Sequence, residues 1–288
     1  MDSLETSGLP LIPRRSRPLS RYAGLKPGTT TVLQRWLAGW LRRSWLVLVL
    51  LSLWEIAPQA GWIDSTFLPP LSDVLAAGWG LALNGQLYDN VTASLFRMLS
   101  GFAIAVVLII PLGLAIGRYA RLGEACNQLI EVLRNTAPLA LLPVFILLLG
   151  IGEVAKVTMV FYSCAWPLLL NTIAAVKQVD PLLIKSGRTM GATPVQLFTR
   201  VILPAASPTI FVGIRLASAS AVLVLVASEM VGAKAGLGYM IIYDQYSFLI
   251  PQMYFGILAI TAIGLLLNYT LEAIEGRATR WKAPQGNV

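Results

Sequence analysis

No histidine occurs among the 288 residues. That absence removes His-based zinc sites, Ser-His and Cys-His nucleophile pairs and a histidine proton relay. Cysteine is nearly absent as well. Cys126 and Cys164 stand outside any CxxC spacing, in apolar surroundings where a free thiol behaves as a small hydrophobe. No Gly-x-x-x-x-Gly-Lys-Ser/Thr run exists, so the chain carries no P-loop of its own for a nucleotide. Charge is scarce: Asp, Glu, Lys and Arg make up 12% of the residues, about half the share in an ordinary soluble domain.

What the chain has instead is apolar length. Hydrophobic residues form 56% of it and the mean hydropathy is +0.71. Several runs approach or exceed the ~18 residues of a membrane-crossing helix, which identifies a polytopic membrane protein. Six spans are predicted, at about 44–62, 94–117, 123–150, 154–176, 208–231 and 251–273. The third contains Asn135-Thr136-Ala137-Pro138 and Pro143. A proline removes a helical hydrogen bond and clashes with the preceding turn, so a kink or break is expected near Pro138. The stretch 63–93 is too short and too polar to span.

The net charge of +8 is explained by where the charges lie. Eight of the 22 Lys and Arg precede residue 44, whereas 63–94 has none. The loops at 118–122 and 177–207 carry Arg118, Arg121, Lys177, Lys185, Arg188 and Arg200, and the alternate loops only Lys156 and Lys234. This is the positive-inside pattern, and no nucleic-acid partner is needed to account for it. It places both termini in the cytoplasm. The chain divides into a basic tail with an interfacial helix (1–43), a membrane domain (44–276) and a C-terminal tail (277–288). In the first part, Leu33, Trp36, Leu37, Trp40 and Leu41 share one helical face suited to a lipid surface.

Small residues recur at four-residue spacing, Gly113 and Gly117, then Gly213, Ala217 and Ala221, and allow helices to approach closely in lipid. Between the fourth and fifth spans lies a hairpin, 180–204, with helix signals at both ends of each arm. Asp180-Pro181 is an N-cap with proline at the first helical position. Gly191 suits a left-handed helix end. Thr193-Pro194-Val195-Gln196 reads as a capping box, and Leu203-Pro204 as a stop. An ordered cytoplasmic loop of this length displays a short helix to a partner.

Gly191, nine residues, then Val201-Ile202-Leu203-Pro204 resembles the EAA---G---------I-LP signature of binding-protein-dependent ABC importer permeases. FLPPLSDVLAA at 67–77, SLFRMLSGFAIAVVLIIPLGLAIG at 94–117, LRNTAPLALLPVFILLLGIGEVAK at 133–156 and VASEMVGAKAGLGYMI at 226–241 resemble its nitrate, taurine and aliphatic-sulfonate branch, which also holds pyrimidine permeases. The resemblance implies an all-α membrane protein with the type I ABC importer permease fold and about six transmembrane helices. It implies no catalysis by this chain. ATP and Mg would be held by a separate ATPase. The implied partners are ATPase subunits, a second permease copy as a homodimer, a periplasmic substrate-binding protein and the lipid of a bacterial inner membrane. The cargo would be a small anion such as a sulfonate, taurine or nitrate. The hairpin would be the coupling helix, carried by Lys185, Ser186, Gly187, Gly191, Ala192, Thr193, Pro194, Leu197, Phe198, Leu203 and Pro204. Here Lys185-Ser186-Gly187 stands where the signature has EAA.

Ionisable groups in spans are costly and face a cavity or a partner, which makes Glu55, Glu131, Arg134, Arg215 and Glu229 notable. Arg134, Asn135, Pro138, Arg215 and Glu229 are the candidates for the translocation pathway. Arg134 stands beside the break, where a cation and free backbone groups suit an oxyanion. It is equally placed to pair with Glu131, three residues earlier. Arg97 is expected to snorkel toward headgroups. Gly236-x-Gly238 looks like a phosphate loop, but no strand precedes it, and a contact with a delivering protein fits better. An ion-coupled carrier or channel is the rival reading; it needs paired intramembrane acids, and here the acids look scattered.

Overall fold

The computed structural model describes residues 45–279, so the predicted tail and interfacial helix before residue 44 and the last nine residues lie outside it. By its contacts the chain divides at Ser52 and Leu53. Up to Ser52 the described residues are helical, the start of α1 (Trp45–Gln59). From Leu53 onward every regular element among the described residues is also a helix. These are α2 (Leu71–Leu83), α3 (Gln86–Arg118), α4 (Ala120–Arg134), α5 (Leu142–Leu149), α6 (Glu153–Lys177), α7 (Pro181–Thr189), α8 (Pro194–Leu197), α9 (Leu203–Glu229), α10 (Leu237–Tyr246) and α11 (Ile250–Ala278). A 3-10 turn, Pro138–Leu141, leads into α5, and a π turn, Phe198–Ile202, joins α8 to α9.

Among the described residues, four helices are long and apolar enough to cross a membrane: α3, α6, the continuous helix Pro194–Glu229 and α11. The third predicted span is a bent pair, α4 followed by Pro138–Leu149, with an angle of 83° at the break. α1 is apolar but shorter, so the described residues supply four spans, or five with the bent pair, against the six expected. The ends differ from expectation. α3 has 33 residues, about 50 Å at ~1.5 Å per residue, against ~30 Å of hydrocarbon, so it projects well beyond the lipid. The stretch 63–93 is therefore mostly α2 and the first turns of α3, divided by Gly85 at φ 75°. The stretch 232–250 likewise contains α10.

The core forms where α6 lies between α3 and α9, and the small residues decide how closely. A Cβ on Gly113 would stand 2.8 Å from the Thr172 side chain, and one on Gly117 equally near Val176, both on α6. Across the other face, Gly213 admits Asn171, while Ala217 and Ala221 are fully buried. Cys164 is a free thiol whose Sγ meets the Ala217 carbonyl at 3.4 Å. Met98, Ala105, Val160, Leu168 and Leu225 fill the space between. The outward faces are apolar and bare, with Val107, Leu147, Leu148, Leu223 and Leu266 all exposed, as lipid-facing positions should be.

Candidate functional site

The hairpin is built as its residues require. The Asp180 carboxylate accepts from Leu182 N–H at 2.8 Å and caps α7, with Pro181 at its first position. Gly191 turns the chain at φ 76°. Thr193 and Gln196 form a reciprocal capping box: Thr193 N–H donates to Gln196 Oε1 at 3.0 Å, and Gln196 N–H to Thr193 Oγ1 at 3.3 Å. Leu197 is buried and clamps the arms together. Gly187, at the last position of the KSG triplet, lies under it: a Cβ there would sit 2.8 Å from Leu197 Cδ1. The departure from EAA thus makes room for this clamp.

One expectation is corrected. Leu203-Pro204 does not stop the second arm, which continues through the π turn into α9 as one helix, Pro194–Glu229. In a regular α-helix the Pro204 ring would clash with the Arg200 carbonyl; the wider turn at Phe198–Ile202 accommodates it. Within α9 the Ser207 hydroxyl donates to the Pro204 carbonyl at 2.9 Å. Phe198, Ile202, Leu203 and Ala206 pack with Val176 and Val179, so the base of the hairpin is seated against the end of α6. Lys185, Ser186, Thr193 and Pro194 are exposed and Ala192 partly so. Sequence reasoning overlooked the apolar side chains beside them: Leu182, Leu183, Met190 and Val195 are exposed, Met190 to 87% and Val195 to 71%.

At the opposite end of α9, charges that look scattered in sequence converge. Arg97 is 2% exposed and Glu229 fully buried. Arg97 grips Glu153 through two hydrogen bonds, Nε to Oε2 at 2.5 Å and NH2 to Oε1 at 2.6 Å. Its NH1 reaches Glu229 Oε1 and the Ala235 carbonyl, each at 2.7 Å. Glu229 also accepts from Ser94 Oγ at 2.8 Å and Gly238 N–H at 2.9 Å. Leu237 N–H donates to Ser94 Oγ and Gly236 N–H to Asn90 Oδ1, each at 2.8 Å. α3, α6, α9 and the start of α10 are thereby fastened through one guanidinium. Arg97 does not snorkel to headgroups, because two carboxylates hold it inside. Nor is the glycine-rich turn a phosphate loop, because its amides are already engaged. Gly236 is present because a Cβ would meet Glu229 Oε1 at 2.5 Å.

The pathway candidates fall into three places. Arg134, Asn135 and Pro138 lie together at the break. Arg134 pairs with Glu131 at 2.6 Å, and Asn135 Nδ2, Thr136 Oγ1 and Tyr162 OH occupy the carbonyls freed there. Arg215 is paired with Glu275 of α11, and Glu229 belongs to the charged junction with Arg97. Glu55, also notable in sequence, caps α2 by accepting from Ser72 N–H at 3.0 Å.

Residues 75–280 match the family model described as "Binding-protein-dependent transport system inner membrane component". The chain belongs to this family. As a permease subunit it is a multi-pass membrane protein and not an enzyme, since hydrolysis resides in a separate ATPase. It is 36% identical over 80% of its length to a probable ABC transporter permease protein of Brucella abortus, of which it covers 90%. It is 32% identical over 92% of its length to the taurine transport system permease protein of Escherichia coli, covering 92% of that chain. A putative aliphatic sulfonates permease of Escherichia coli and a nitrate import permease of Synechocystis are 32% and 30% identical, over 84% and 82% of this chain and 93% and 88% of theirs. Among solved structures, an inward-facing MetNI methionine ABC transporter shares the fold, with TM-score 0.57 and 22% identity over 66% of this chain and 94% of that one.

Proposed function

We propose that this permease subunit couples ATP hydrolysis in a partner ATPase to inward movement of a small anion, a sulfonate, taurine or nitrate. The termini and the 180–204 hairpin face the cytoplasm, and two copies of the chain form the pathway. ATP and Mg belong to the ATPase, and a periplasmic binding protein delivers cargo to the opposite side. The relatives named for taurine, sulfonates and nitrate support this cargo class. The observation that carries the coupling is the display of Leu182, Leu183, Met190 and Val195 on a doubly capped hairpin. Exposed apolar side chains on a rigid, polar-rimmed element mark a protein interface. Because α8 continues into α9, displacement of the hairpin tilts the whole fifth span. Of the pathway candidates, Arg134, Asn135 and Pro138 at the break are proposed to line the route, with Arg215 and Glu229 holding helices in place.

The test is ATP hydrolysis by the reconstituted permease, its neighbouring ATPase and the neighbouring binding protein in nanodiscs. Hydrolysis stimulated by one loaded binding protein, and lost in Met190→Asp/Val195→Asp, supports coupling through the hairpin. Association and stimulation unchanged in that variant would refute it. Flux driven by an ion gradient with no ATPase bound would favour a carrier instead.

A further inference from the structure

Beside the Arg97–Glu229 junction, between α2, the start of α3 and α10, lies an open cavity of about 720 Å³. Its lining includes Asn84, Asp89, Lys234, Tyr239, Tyr243 and Asp244. Asp244 is only 3% exposed, and its Oδ2 is buried with no hydrogen-bond partner among the described residues. A carboxylate removed from water without donors is costly, so the Asp244 side chain, which lines the cavity, gains by turning its closed-off oxygen toward a donor or cation that enters. Tyr239 and Tyr243, one turn apart on α10, have ring centroids 5.8 Å apart and line the same cavity, and aromatic faces attract cations. Two carboxylates against one lysine make the lining net negative, which disfavours a bare anion. Lys234, in the loop before α10, nevertheless offers a cation to the other end of a ligand.

We propose that this cavity is a binding site for a small zwitterion, with the ammonium at Asp244 and the tyrosine pair and the anionic end toward Lys234. The chemistry selects an aminoalkyl sulfonate over a plain sulfonate or nitrate. This rests on the importer reading and narrows its substrate class.

The test is calorimetric titration of the permease–ATPase complex in nanodiscs with taurine, and with ethanesulfonate, which has the same chain and no amine. Taurine is expected to bind at least about tenfold tighter, the worth of a charged hydrogen bond. Asp244→Asn should erase the difference and Asp244→Glu should keep part of it. Equal binding of the two solutes, a difference that survives Asp244→Asn, or no binding of either overturns the site. Heat seen only with an added ligand-free binding protein also overturns it, since the occupant would then be a protein side chain. Hydrolysis stimulated by the loaded binding protein is measured on the same wild-type complexes. If stimulation is present without amine discrimination, only the zwitterion site fails. If stimulation is absent, the importer reading fails whatever the titration gives.

Discussion

The two ends of the continuous helix Pro194–Glu229 are held by opposite means. At Glu229 the helix is fixed by buried charge: one guanidinium, two carboxylates and the first amides of α10. At Pro194 it is fixed by local backbone chemistry, a capping box and a buried leucine, with apolar side chains left facing out. The first arrangement loses much if any member is removed and offers nothing to a partner. The second is self-sufficient and keeps its surface for something else. A span with one fastened end and one handle is suited to tilting, and that difference can be broken at either end.

The largest effect is expected at Arg97. Arg97→Met leaves Glu229 buried without its partner, and losing one member of such a pair costs about 3–5 kcal/mol. Thermal unfolding of the detergent-solubilised protein should drop accordingly, and Glu229→Gln should drop less because its hydrogen-bond partners remain. An unchanged midpoint would mean that the junction contributes nothing to the fold. At the hairpin, Met190→Asp/Val195→Asp should leave the midpoint within about 0.5 kcal/mol of the parent, as surface substitutions do, while stimulated hydrolysis disappears.

That the hairpin was the readable end follows from its physics. Asp180, Gly191, Thr193 and Gln196 act on neighbours within three residues, so the sequence alone displays them. The break at Pro138 is local in the same way. Arg97, Glu153 and Glu229 are 56 and 132 residues apart, and nothing in the chain announces that α3, α6 and α9 bring them together. The π turn was also illegible, because Leu203-Pro204 reads the same whether a helix stops or widens. α10 was hidden in the stretch 232–250 because its start is set by Asn90, Ser94 and Glu229, distant partners of Gly236, Leu237 and Gly238.

A smaller effect concerns caps. Thr193→Ala removes one side of the capping box and should cost about 1 kcal/mol, visible as faster hydrogen exchange in 193–197 with the Arg97–Glu229 junction unchanged. Asp244 gives a pH signature in α10. Burial pushes its carboxyl up to about 6, above its unfolded value, so the folded state favours the proton. Stability from this group is complete below the unfolded value and is lost as pH rises through about 6. The unfolding midpoint should therefore rise between pH 7 and pH 5 relative to Asp244→Asn, whose profile lacks that component. The smallest effect is expected for Gly187→Ala. The helix gains up to ~1 kcal/mol in propensity, offset by the shift it forces on Leu197. A midpoint moved by more than about 1 kcal/mol either way would show that this clamp is stiffer or looser than described.

The most direct measurement is hydrogen exchange of the nanodisc-embedded permease with and without its ATPase. Partner binding is predicted to slow exchange in 181–202, while 229–240 is slow in both states. Protection at the Arg97–Glu229 junction alone, or none in the hairpin, would contradict the assignment of one end as fastening and the other as handle.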